Sequence, residues 1–274
     1  MRRHGRRAYV RSVYFLPSLA TLGNAVCGFA AMYVAAFDRV NVGNDPWAIW
    51  LLSHKFVAAA YLIFVAMIFD ALDGRLARFT RHTTDFGGQL DSLADVISFG
   101  AAPAFIALQL FRAEVPDVPV VISRLIWAIG ALYFSCAAIR LARFNVSNEH
   151  GEQHHFSFLG LPSPGAGGAV AAWIIMQQDL AQQALTTLAR LCIFALPLIV
   201  LSTGLLMVSN IRYPHLVNRY LRGKRSFGRL ILVVVLLLLL VVWHQYTLGI
   251  GMLIYAFYGF ALWVIRIRRA RPVV

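Results

Sequence analysis

Eight apolar stretches divide this 274-residue chain, at 14–37, 56–78, 90–111, 122–144, 161–178, 191–209, 229–245 and 247–266. A helix that crosses a bilayer needs about 20 such residues. Hydrocarbon offers no partner to a backbone N–H or C=O, so a spanning segment must satisfy both internally, and runs this continuous do so as α-helices. The expected fold is therefore all-α, a polytopic transmembrane helix bundle of about eight spans. Composition agrees: 14% of residues are charged, where a soluble domain carries about 25%. Pro162, Pro164, Gly165, Gly167 and Gly168 open the fifth stretch, so either a bent or broken helix beside the site or a plain helix start with proline in its first turn is expected there. No polar segment exceeds about 20 residues, and a single membrane domain over 1–274 is expected. The first stretch is too long for a signal-peptide core and reads as a retained helix.

The formal net charge is +13. In a soluble chain that excess would suggest nucleic acid, but here the basic residues flank apolar spans, where orientation and anionic headgroups account for them. With the N-terminus in the cytoplasm and spans alternating, the inner segments hold 20 of the 25 lysines and arginines. Both termini are then cytoplasmic and the number of spans even. Cys27, Cys136 and Cys192 all fall within apolar spans, which argues against a disulfide framework or a zinc site. His82, His150, His154 and His155 read as solvated loop residues.

Four carboxylates break the apolar pattern: Asp70, Asp73, Asp91 and Asp95. Each costs roughly 2.5–3.5 kcal/mol at bilayer depth, so the group needs compensation or a purpose. On a helix Asp70 and Asp73 lie about 60° apart, and Asp91 and Asp95 about 40° apart, each pair on one face. A short turn near residues 80–88 joins the two helices, which must then pack side by side with the acidic pairs facing. Four like charges so close repel strongly. One or two divalent cations resolve this, and oxygen-only ligation favours magnesium, manganese or calcium. Gly74, Ala77, Gly87, Gly88 and Ala94 allow close approach or leave room for a ligand. Arg78, one turn after Gly74, suits a phosphate oxygen. Acids for metal and an arginine for phosphate point to phosphoryl chemistry on a diphosphate.

The pattern Asp73-Gly74-x2-Ala77-Arg78-x8-Gly87-x3-Asp91-x3-Asp95 resembles, at every position, the signature of the CDP-alcohol phosphatidyltransferase family. Asp70 matches the further upstream acid of the extended signature. The resemblance implies transfer of a phosphatidyl group from a CDP-linked lipid to an alcohol with release of CMP. By position, it implies that Asp70, Asp73 and Asp91 bind metal, Mg2+ or Mn2+ and two ions. Asp95 would bind the second ion and act as general base on the acceptor hydroxyl. Gly74 and Arg78 would contact the CDP diphosphate, and Gly87 would leave room for cytidine. It further implies a six-helix catalytic core (14–209), two additional C-terminal helices (228–266) and a homodimer.

For the acceptor, TLGNAVCGFAAMY (Thr21–Tyr33), DSLADVISFGAAPAF (Asp91–Phe105), CAAIRLARFNV (Cys136–Val146), FLGLPSPGAGG (Phe158–Gly168) and LMVSNIRYP (Leu206–Pro214) resemble the phosphatidylserine synthase branch. One departure is Ser18, where many relatives have Asn; Thr21 and Asn24 remain to line the nucleotide pocket. Serine carries a carboxylate, for which Arg140 and Arg143 are candidates, with Asn145 assisting; Arg212 is a candidate for the lipid phosphate. The implied reaction is CDP-diacylglycerol plus L-serine giving phosphatidylserine and CMP, at the cytoplasmic face of a bacterial or archaeal plasma membrane. Glycerol phosphate or inositol phosphate as acceptor, or an ether-lipid donor, are alternatives in the same class. A cation transporter using intramembrane carboxylates is the alternative from another class.

Overall fold

The structure is a computed structural model and describes residues 2–38, 45–80, 85–149, 157–214, 235–236 and 238–270. Its helices are α1 (Arg2–Ala35), α2 (Pro46–Thr80), α3 (Asp85–Asp95), α4 (Ala102–Glu114), α5 (Val120–Glu149), α6 (Ser163–Gln182), α7 (Thr186–Val208) and α8 (His244–Ala270). Five segments are long and apolar enough to cross a membrane, namely Pro46–Leu76, Phe86–Glu114, Val120–Val146, Thr186–Val208 and His244–Ile265, and Leu19–Ala35 is a shorter apolar one. The protein is a polytopic membrane helical bundle. The seventh expected span, 229–245, lies partly outside the described residues; 235–236 and 238–242 are helical.

Packing follows the rule for bundles in lipid, small residues inside and large ones outside. In α1 the buried stripe is Thr21, Asn24, Gly28, Ala31 and Ala35, while Leu22, Val26, Phe29 and Tyr33 are exposed. The centre of the bundle is α6, whose buried residues include Gly165, Ala166, Gly167, Gly168 and Ala169. A Cβ on Gly167 would sit 3.3 Å from Phe99 Cα, and one on Gly168 would sit 2.3 Å from Met252 Cε. The Pro-Gly stretch starts a helix and does not bend one. Pro162 is the N-cap and Pro164 lies in the first turn, where its missing N–H costs nothing.

Two further differences from the sequence expectation bear on the site. Helix α2 begins ten residues before the expected 56–78, because Lys55 does not end the span: its Nζ reaches the Phe37 carbonyl at 2.9 Å. A long aliphatic stem lets a lysine keep its charge on a polar group in this way. The expected span 90–111 is not one uniform helix. A π-turn, Val96–Ala101, joins α3 to α4 immediately after Asp95, and such turns change the phase of a helix.

The only strands among the described residues are β1 (Ser157–Leu159) and β2 (Arg212–Pro214), an antiparallel ribbon pairing Phe158 with Tyr213. Gly160 turns the chain out of β1 at φ +81°, where a Cβ would meet the Met207 carbonyl oxygen at 2.2 Å. The ribbon ties the entry of α6 to the exit of α7. Buried Tyr213 then donates to the Ala256 carbonyl at 2.8 Å and anchors α8.

The closest backbone approach in α1 is at Gly28, where a Cβ would lie 2.6 Å from Ser98 Cα. Overpacking against backbone costs about 1–3 kcal/mol. Gly28→Ala is therefore expected to lower the thermal midpoint of the detergent-solubilised protein, whereas Gly251→Ala, with nothing within 4 Å of its Cβ position, leaves it in place. Equal midpoints for the two variants would remove this contact from the packing scheme.

Candidate active site

Helix α2 carries Asp70 and Asp73 in the last turns of its span, and α3 carries Asp91 and Asp95. The carboxylate oxygens of Asp70, Asp91 and Asp95 all lie within 4.8 Å of one another. Asp95 and Asp73 are buried; Asp70 and Asp91 are partly so. Asp73 stands at the edge of the group and accepts a hydrogen bond from the Thr21 hydroxyl. Among the described residues no salt bridge neutralises any of the four.

The donor set fits a hard divalent cation. All donors are carboxylate oxygens, and two oxygens bound to one ion can be no more than about 4.2 Å apart on Mg2+ and about 5.2 Å apart on a calcium-sized ion. One oxygen from each of the three acids lies within 4.8 Å of the others, inside the wider limit, and a smaller ion would draw them closer. The cluster offers neither thiolate nor imidazole, so zinc and the other softer metals are disfavoured.

The remaining expected residues fall into three groups. Thr21 and Asn24 on α1 engage the acids themselves: Asn24 Nδ2 donates to Asp95 Oδ1 at 3.1 Å. Arg140 on α5 lies within electrostatic reach of Asp70 and Asp95. It donates through Nη1 to Ser163 Oγ at 2.9 Å, and its buried Nε has no hydrogen-bond partner. Arg143 is exposed and donates to Asn210 at 2.8 Å. Asn145 is tied to Ser92 on α3 at 2.9 Å. These two polar contacts hold α5 against the segment after α7 and against α3. The backbone places Gly74, Arg78 and Gly87 on the flanking turns, but the side chains of Arg78 and Arg212 lie outside the described residues.

Gly74 settles one question that sequence leaves open. A Cβ there would meet nothing within 4 Å, so the glycine is not required by helix packing inside this chain. It is exposed, directly after Asp73. Gly28 and Gly167 perform the close-packing role instead.

Sequence reasoning missed Ser98 and Ser163. Ser98, on the π-turn, has its Oγ 2.6 Å from Asn24 Oδ1. Ser163 orients Arg140. A lone serine in an apolar run carries no pattern that separates a site residue from a small packing residue; the partners become visible only when α1, α5 and α6 are brought together.

The same acids order the resemblance to known proteins. The family described as CDP-alcohol phosphatidyltransferase matches residues 14–211. A Helicobacter pylori protein named CDP-diacylglycerol–serine O-phosphatidyltransferase is 32% identical over 255 residues, covering 93% of each chain. Proteins of the same name from Methanocaldococcus jannaschii, 36% identical over 58% of this chain and 64% of that one, and from Bacillus subtilis, 30% identical over 56% and 71%, also match. The matched residues run from α1 through α7 and include every acid of the cluster, and this chain belongs to the CDP-alcohol phosphatidyltransferase family.

Proposed function

We propose that the chain transfers the phosphatidyl group of CDP-diacylglycerol to L-serine, giving phosphatidylserine and CMP. The observation that carries this reading is the pocket shared by Asp70, Asp91 and Asp95 beside the buried guanidinium of Arg140. The relatives named above carry that activity in their names.

Each residue has a task in this scheme. Asp70, Asp73, Asp91 and Asp95 hold the divalent metal, Mg2+ or Mn2+, as two ions. When bound, it would supply positive charge to the diphosphate and to departing CMP. The open space at Gly74 admits the diphosphate, Arg78 binds a phosphate oxygen, and Gly87 leaves room for cytidine. Asp95 accepts the proton of the serine hydroxyl. The hydroxyl oxygen then forms a bond to the phosphorus that bears diacylglycerol, and the bond from that phosphorus to the bridging oxygen breaks, its electron pair leaving with CMP.

Arg140 binds the serine carboxylate. A buried guanidinium with its Nε unpaired and Nη1 fixed by Ser163 offers a planar donor edge that fits a carboxylate. Arg143 and Asn145 support this pocket by holding α5, and Arg212 stands near the lipid phosphate. The site opens to the cytoplasm, where serine and the cytidine-linked donor meet; the membrane is the plasma membrane of a bacterium or archaeon, and the chain forms a homodimer. The acids fall at the end of their span beside arginines, rather than along its middle, which favours group transfer over ion transport.

Two outcomes are expected. Asp95→Asn lowers CMP release by about 10²–10⁴-fold, the usual contribution of a positioned base, and chelation of divalent metal abolishes release in the native enzyme; near-normal turnover by Asp95→Asn would remove the base role. Arg140→Lys raises the serine KM by about 10- to 100-fold, the loss of one or two charge-assisted hydrogen bonds, with the KM for CDP-diacylglycerol unchanged. CMP release measured with serine, glycerol 3-phosphate and inositol phosphate reads the acceptor directly, and serine alone should support it.

A further inference from the structure

Resting on that reading, we propose that Asn24 is a positioning residue for Asp95, with its amide set by Ser98, so that Asp95 Oδ1 is held and the carboxylate has one orientation toward the metal and the acceptor. Asn24 and Ser98 are fully buried, at 0% exposure each. Asn24 Nδ2 is 3.1 Å from Asp95 Oδ1, and Ser98 Oγ is 2.6 Å from Asn24 Oδ1. No described residue bonds Asp95 Oδ2, so one oxygen of the carboxylate is restrained by the protein.

The direction of these bonds follows from what each group can do. An ionised carboxylate only accepts, so Asn24 must turn its N–H toward Asp95. Its carbonyl oxygen then faces Ser98, whose hydroxyl must donate. The Ala94 carbonyl, also 2.6 Å from Ser98 Oγ, is a second acceptor for the same proton. The reverse amide orientation would set two oxygens against each other in a buried place, at a cost of about 1–3 kcal/mol for the unsatisfied group. Ser98 thus fixes the amide, and the amide fixes the carboxylate.

The backbone makes the arrangement possible. Gly28 lets α1 touch the π-turn at Ser98, and Asn24 lies one helical turn before Gly28 on the same buried stripe. Asp95 and Ser98, three residues apart, both meet Asn24 of α1. Gly28, Asn24, Ser98 and Asp95 form one unit joining two helices. The alternative role for Asn24 is a direct contact with the nucleotide, and the two roles differ in what they do to the kinetics.

The test is steady-state CMP release from CDP-diacylglycerol and serine by the purified full chain. Displacing a reacting group by about 1 Å can cost about 100-fold. Asn24→Leu and Asn24→Ala, neither of which can donate, should each lower kcat by about that factor, with both KM values within about threefold of the native enzyme. Ser98→Ala should lower kcat less, about tenfold, and add less than about twofold on the Asn24→Leu background, because it acts only through Asn24. A raised KM for CDP-diacylglycerol with unchanged kcat would assign Asn24 to the nucleotide and overturn the proposal. Independent, multiplying losses at the two positions would overturn it as well, as would native kcat in Asn24→Ala. If Asn24→Leu does not fold, Asn24→Ala carries the test. Failure of the native enzyme to release CMP with serine would instead count against the underlying reading of function.

Discussion

Mutual repulsion among carboxylates held in a membrane bundle is the constraint on which the rest of the structure turns. Asp70, Asp91 and Asp95 bring oxygens within 4.8 Å of each other without a salt bridge from any described residue. In water such a group would separate. Here it cannot, because α2 and α3 are pinned by α1, whose Thr21 and Asn24 reach across to Asp73 and Asp95. Hydrogen bonds donated to ionised acceptors are stronger than those between neutral groups. They also give each acid one orientation, which a metal pocket needs before the metal arrives.

That role explains the composition of the helices around the site. With no difference in hydrophobicity between lipid and core to drive association, helices meet through small residues that allow short interaxial distances. Gly28 and the glycines of α6 are located where α1, α6 and the π-turn converge, and the large side chains of α1 face outward. The π-turn belongs to the same design. Helices α3 and α4 both pack on α1, and the π-turn between them meets α1, α5 and α6, so the segment that follows Asp95 ties the acid-bearing helix to three neighbours at once.

The acidic pairs are legible in sequence because spacings of three and four residues put each pair on one helix face; the expected side-by-side packing of α2 on α3 is not what brings the pairs together, since both helices pack on α1 instead. The bundle is legible for the same kind of reason: apolar length alone requires helices. What sequence conceals is of three kinds. The π-turn VISFGA has no marker, since π and α geometry use the same apolar residues. Lys55 and His54 look like the end of a polar loop, yet Lys55 is accommodated by the Phe37 carbonyl and the helix begins at Pro46. Finally, Pro162 and Pro164 fit a helix start as well as a break, and only the extended backbone of Pro162, with ψ 139°, separates the two.

The acceptor side of the site is built differently from the metal side. Asp73 and Asp95 are restrained by hydrogen bonds from Thr21 and Asn24 of α1. Arg140, by contrast, stands between elements distant in sequence: its Nη1 is held by Ser163 at the start of α6, and Tyr255 of α8 lies within its electrostatic reach. Helix α8 falls beyond the residues matched to the family, 14–211, and is fixed to the bundle by the Tyr213–Ala256 bond and by Tyr255 against Gly165, where a Cβ would lie 2.7 Å from the ring. A guanidinium buried on this scale needs polar partners on more than one side. In the proposed scheme the metal side of the site is therefore built from α1, α2 and α3, and the acceptor side depends on the start of α6 and on the C-terminal helix that packs against it.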